Sequence, residues 1–237
     1  MSVFASLVDH LADLLQPLFG ASAAAAAIVL FTALVRLLVH PLSRAAARGQ
    51  KARTALQPRV AELRRKHAKN PEKLQRAVLE LHAEEKVSPL SGCLPSLCQA
   101  PAFFLLYHLF SSSSIGGQAN ELLSHHLLAA PLGGRWADAL GAGGVTGGAG
   151  LVYVVLFAVV AAVAAFSYRL TKRTMAAQPL LPAGGGEAVP GAGAITRAMP
   201  FMSFFTLVTV AVVPLAAALY VVTSTTWSAV ERAFLYR

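Results

Sequence analysis

Apolar residues gather into four long runs separated by polar segments. The first spans 20–42, the second 92–110 with serines trailing behind it, and the third 150–168. The fourth, 199–234, is 36 residues long and has Pro214 at a natural break, so it predicts two helices. A crossing needs about 20 residues at a rise of about 1.5 Å each. The pattern therefore predicts five transmembrane helices, at 20–42, 90–112, 149–169, 198–213 and 214–235, the last two forming a tight hairpin or a shallow pair. Ahead of them, within 1–17, Val3, Leu7, Leu11, Leu14 and Leu15 fall broadly on one side. That stretch reads either as an amphipathic helix lying on the outer face of the membrane or as the frayed start of the first crossing. It has no basic n-region, and Asp9 and Asp13 precede the first long run, which argues against a cleaved signal peptide.

Residues 43–88 are polar but periodic. Leu56, Val60 and Leu63 form one stripe, and Leu74, Val78 and Leu81 another. Asn70 is placed to cap and Pro71 to start a second helix, while Pro58 should bend or restart the first. The segment predicts an antiparallel helical hairpin whose solvated faces carry Arg64, Arg65, Lys66, Lys73, Glu80 and Glu84. Such faces suit RNA, anionic lipid or a partner protein, or serve only as a soluble tether. Residues 113–148 form the next loop, with a short surface helix expected around Leu122, Leu123, Leu127 and Leu128 between flexible Ser- and Gly-rich flanks. Residues 170–197 are Pro- and Gly-rich from 176 onward and read as a linker.

Composition sharpens the picture. Hydrophobic residues make up 56%, charged residues 13%, and mean hydropathy is +0.58, against about 25% charged in ordinary soluble domains. The net charge of +9 would also suit a nucleic-acid binder, but its distribution favours a membrane protein. Residues 43–88 hold twelve Lys or Arg, whereas 111–149 hold only Arg135. Basic residues accumulate on the cytoplasmic side. The expected topology thus places the amino terminus outside, 43–88 inside, 113–148 outside, and 170–197 and the carboxyl terminus inside. Cys93 and Cys98 are five apart and read as small apolar fillers, and the adjacent His125 and His126 make a poor metal pair. No catalytic constellation, cofactor motif or metal motif is expected, and a sequence-specific nucleic-acid partner is not expected either.

One residue interrupts the first apolar run. Arg36 lies among leucines and valines in "FTALVRLLVHPLSR", residues 31–44. A guanidinium does not deprotonate to escape lipid. So close to the helix end it either snorkels to the interface or faces a wet recess. Thr32 and His40, one turn before and after it, complete a polar stripe, and Gln99, Thr206 and Thr209 are candidate walls from other helices. The membrane runs contain no aspartate, and Glu231 near the cytoplasmic end is their only clear acid. That argues against a carboxylate-driven proton pump. A small transporter using Arg36 as an anion site and an assembly factor that merely holds membrane subunits are rival readings.

The stretches 31–44, "ALQPRVAELRRKHAKNPEKLQRAVLELHAEEKVSPLSGCLPSLCQAPAFFLLYHLF" at 55–110 and "AITRAMPFMSFFTLVTVAVVPLAAALYVVTSTTWSAVERAFL" at 194–235 resemble the YidC/Oxa1/Alb3 family of membrane protein insertases. The resemblance implies an all-α polytopic membrane protein. Five transmembrane helices would surround a hydrophilic groove that opens to the cytoplasm and lipid and is closed on the outer side, beside a cytoplasmic hairpin. It implies that Arg36, Thr32 and Tyr220 face substrate, and that the hairpin receives it. It implies an insertase and chaperone without bond chemistry, located in the plasma membrane. Its partners would be nascent membrane proteins and lipids, and it would act alone or beside the Sec translocon and the ribosome. Val221 after Tyr220, the missing glycine after Pro214 and the missing glutamine near 166–173 depart from the family pattern. The lack of a large outer domain or long basic tail suggests a short, Gram-positive or actinobacterial form.

Overall fold

The computed structural model describes residues 2–87, 104–115, 117–177 and 199–235. The expected second crossing therefore falls mostly outside the described residues, as do Gln99, both cysteines and much of the 170–197 linker. The described helices are α1 (Ser2–Phe19), α2 (Ala23–Ala55), α3 (Gln57–Lys66), α4 (Pro71–Glu84), α5 (104–111), α6 (Trp136–Gly143), α7 (Gly148–Ala177), α8 (Phe205–Val212) and α9 (Leu215–Leu235).

Two of the described helical stretches are long and apolar enough to cross a bilayer: Ser6–Ala55, which includes α2, and Gly148–Thr174 within α7. Pro200–Val212 is apolar but shorter. Helix α9 has 21 residues, but Thr223, Ser224, Thr225, Thr226, Ser228, Glu231 and Arg232 make it polar. By length and apolarity, five spans are thus not reached among the described residues.

The chain turns at Gly20, whose φ of 51° lies in the left-handed region that glycine enters without steric cost. Helix α1 then packs against α2 through Val8 and Ala12. Helix α2 does not stop at 42 as the polarity change suggested; it runs unbroken to Ala55. The Ala-, Arg-, Lys- and Gln-rich stretch 45–55 has high helix propensity and only Gly49 to weaken it. The hairpin arms are therefore the shorter α3 and α4. Pro58 lies in the first turn of α3, Pro71 in that of α4, and the Asn70 side chain accepts from the Lys73 N–H at 3.0 Å. Leu56, Val60 and Leu81 are buried where α3 meets α4, and Arg59 pairs with Glu85. These residues stand apart from the main core.

That core lies where α2, α5, α7 and α9 meet the segment 112–135. Ala24, Ala25 and Ala27 on α2 and Ala216, Ala217 and Ala218 on α9 are buried, and the two helices pack together. Small side chains let helix backbones approach closely, which is how helices gain dispersion energy in lipid. Large apolar side chains such as Leu37, Leu38, Val155, Phe205 and Val212 are instead exposed. Large apolar side chains exposed on several helices are costly in water and at home in lipid.

The 112–135 segment differs from the expected surface helix with flexible flanks. Leu122 and Leu123 lie on a 3₁₀ turn, Glu121–Ser124, between two short strand pairs, and the helix comes later, at Trp136–Gly143. Leu122, Ala130 and Leu132 are buried in the main core. Backbone groups tie this cap to the helix ends. Leu215 N donates to Gly134 O and Ala216 N to Leu132 O, both at 2.9 Å, while Tyr153 Oη donates to Gly134 O at 2.6 Å. Gly133 admits the Leu123 carbonyl, which would lie 3.1 Å from an added Cβ. The buried Asn120 amide donates to the Leu109 carbonyl at 2.8 Å and to that of Ser112 at 3.0 Å, satisfying two acceptors at the end of α5. Asn120→Ala should therefore destabilise the protein by about 1–3 kcal/mol, checked by thermal unfolding in detergent against wild type.

Candidate functional site

Arg36 projects from α2 toward α9. Its Nε donates to Ser224 Oγ at 3.1 Å, and a terminal nitrogen donates to the same oxygen. Ser224 is buried and also hydrogen-bonds Tyr220, one turn earlier on α9. Tyr220 is buried too, with its ring 5.9 Å from that of Phe110 on α5. One turn beyond Arg36, His40 Nδ1 lies 2.5 Å from Glu231 Oε1, and the Glu231 side chain is only 11% exposed. The seam between α2 and α9 thus carries two polar rungs, Arg36–Ser224 nearer the cap and His40–Glu231 nearer the hairpin.

The rungs differ electrostatically. Glu231 is held by His40, whereas Arg36 is held by a hydroxyl, which satisfies donors without cancelling charge. Beyond the second rung a cavity of about 390 Å³ opens, lined by His40, Arg44, Trp227, Val230, Glu231 and Phe234. It gives the seam an approach from the hairpin side, while the cap covers its opposite end.

The other residues singled out from sequence divide. Thr32 is on the expected face but buried, and its hydroxyl donates to the Ile28 carbonyl at 2.7 Å. The Thr209 hydroxyl turns back to the Phe205 carbonyl at 3.3 Å. Thr206 lines a separate cavity among α7, α8 and α9. Gln99 lies outside the described residues. On the hairpin, Arg65, Lys66, Lys73, Glu80 and Glu84 are exposed and Arg64 is half-buried. Sequence reasoning missed Ser224 as the acceptor for Arg36 and Glu231 as the partner of His40. The spacing of Tyr220, Ser224 and Glu231, four and then seven residues, was the available signal, because it puts all three on one helical face. Among the described residues no cluster of three or more His, Cys, Asp or Glu side chains is arranged to hold a metal.

A predominantly helical chain with lipid-suited outer faces and a polar seam inside defines an α-helical membrane protein. It belongs to the 60Kd inner membrane protein family, whose sequence model matches residues 14–237. It is similar to the membrane protein insertase YidC of Clostridium perfringens, 44% identical over 84 residues, 35% of each chain. The YidC of Chlorobium phaeovibrioides is 39% identical over 100 residues, 42% of this chain and 17% of that one. That of Anaeromyxobacter sp. is 40% identical over 87 residues, 37% of this chain and 16% of that one. The matched segments thus span about a third of the length of the first of these relatives and under a fifth of the other two.

Proposed function

We propose that the chain is a membrane protein insertase and chaperone. The observation that carries this reading is Arg36, a charge held on the α2–α9 seam by Ser224 rather than by a carboxylate. A polar tail or short loop of a nascent membrane protein enters the seam from the hairpin side. There Arg36, with Tyr220 and the His40–Glu231 rung nearby, lowers a desolvation cost of several kcal/mol per unsatisfied polar group in hydrocarbon. Gln99, Thr32 and Thr209 belong to the same groove in this reading, whereas Thr206 lines the separate α7–α8–α9 cavity. The substrate's apolar helix moves along the lipid-facing side of α2 and is released into the bilayer. Its burial drives the process at about 0.8 kcal/mol per CH₂. The step is physical and makes or breaks no covalent bond.

In this reading the chain has five crossings, an outside amino terminus and a cytoplasmic hairpin whose charged faces receive substrate, alone or beside the Sec translocon and ribosome. Its Ala-, Gly- and Arg-rich composition fits an actinobacterial source. Topology is tested with single cysteines in intact cells: position 144 should react with an impermeant reagent and position 66 should not. Labelling at 66 from outside would overturn the orientation. The function is tested by liposome reconstitution with a short single-span substrate. Protease protection of the translocated tail is the expected result; solute flux without protection would favour a transporter.

A further inference from the structure

Helix α9 has a second polar face. At about 100° per residue, Thr225, Ser228 and Arg232 lie roughly a quarter turn around the helix from Tyr220, Ser224 and Glu231. With Ser167 of α7, Ser203 of the 3₁₀ turn Met199–Phe204 and Thr206 of α8, they line a cavity of about 220 Å³. None of Arg36, His40, Tyr220, Ser224 and Glu231 is among its lining residues, so this cavity is separate from the proposed substrate seam.

The cavity is rich in donors. Thr225 and Ser228 give their protons to their own helix, at Val221 O (2.8 Å) and Ser224 O (3.0 Å), and keep oxygen lone pairs. The hydroxyls of Ser167, Ser203 and Thr206 form no hydrogen bond with the described residues, so their protons remain to be donated. Arg232 is exposed at the last turn of α9, and the ion pairs among the described residues are His40–Glu231 and Arg59–Glu85, neither of which engages it. Among the described residues no carboxylate lines the cavity. Three free hydroxyl donors and a guanidinium call for an occupant that is acceptor-rich and anionic.

Depth and surroundings narrow its chemistry. Arg169, Lys172 and Arg173 follow Ser167 along α7, and Arg232 is near the end of α9, so the cavity mouth sits at headgroup level. Val160, Val163, Ala164 and Ala229 make the rest of the wall apolar. Tyr168 packs against Phe201 at 5.3 Å and Phe204 at 6.1 Å, holding the turn that carries Ser203 to α7. Phe201, Met202 and Phe205 beside it are exposed toward lipid. We propose that the α7–α8–α9 cavity binds the phosphodiester headgroup of an anionic phospholipid, with Arg232 and the Ser167, Ser203 and Thr206 hydroxyls on the phosphate oxygens and the glycerol against the apolar wall.

This assignment is independent of the insertase reading. Its test is native mass spectrometry of the purified full chain titrated with phosphatidylglycerol, phosphatidylcholine or free glycerol 3-phosphate. Wild type should retain one phosphatidylglycerol in preference to phosphatidylcholine and should not exchange it for glycerol 3-phosphate. Arg232→Gln should weaken retention about tenfold, the loss expected of a charge-assisted hydrogen bond, and Arg232→Lys should recover part of it. If Arg232→Gln fails to fold, the Ser167→Ala/Ser203→Ala double variant carries the test, with about a threefold loss expected. Unchanged retention in a folded Arg232→Gln, or in the double variant, would leave only water in the cavity and overturn the proposal. Equal retention of phosphatidylcholine would overturn the anionic assignment, and displacement by glycerol 3-phosphate would overturn the lipid one.

Discussion

Arg36→Ala is expected to reduce insertion of acidic-tailed substrates by about tenfold or more, equivalent to about 1.4 kcal/mol or more, while uncharged tails lose much less. Alanine removes both the charge and the group that keeps the α2–α9 seam polar. Tyr220, Ser224 and water remain for neutral tails. Arg36→Lys should fall between wild type and alanine, since it keeps the charge but loses the planar fork that places two donors on Ser224. Ser224→Ala leaves the charge but removes its anchor, and should resemble the lysine variant. The measurement is protease protection of acidic, neutral and basic tails in liposomes carrying matched amounts of each variant. Moderate salt should not mimic the alanine defect, because a partly buried charge is screened little. Equal activity of wild type and Arg36→Ala on every tail would reduce the arginine to a snorkelling residue. Equal loss on every tail, with lowered thermal stability in detergent, would make it structural.

Deletion of 57–84 is expected to abolish insertion while the remaining helices still integrate. The reason lies in how the core is divided. Leu56, Val60 and Leu81 are buried within the hairpin, but none belongs to the main cluster that contains Ile28, Phe110, Leu132, Tyr153 and Leu215. Removing α3 and α4 therefore exposes little of the main core, and membrane integration should survive. What is lost is a charged surface at the hairpin side of the seam. Carbonate extraction and a detergent melting curve report integration, and the liposome assay reports function. Full activity after the deletion would make the hairpin a tether.

The local elements were legible in the sequence because their causes are local. Asn70 bonds to a backbone N–H three residues away, and Pro58 and Pro71 act within the first turns they occupy. The polar stripe of Thr32, Arg36 and His40 follows from a period of about 3.6 residues. The apolar runs gave the membrane character, since lipid acts on each helix surface separately. Boundaries were less legible. The polarity change near 42 marks where the surroundings of α2 change, but nothing in 43–55 stops a helix, so α2 continues to Ala55.

Only the tertiary structure decided the partners. Ser224 and Glu231 lie 188 and 191 residues from the side chains they hold, and no local pattern encodes which turn of α9 meets which turn of α2. The same holds for Thr206, whose polarity suggested the Arg36 groove but whose helix directs it into another cavity. The segment 112–135 read as loop because its serines, glycines and proline disfavour regular helix. It is nonetheless packed and hydrogen-bonded to α5, α7 and α9, because buried backbone groups at helix ends require partners that the helices themselves cannot supply.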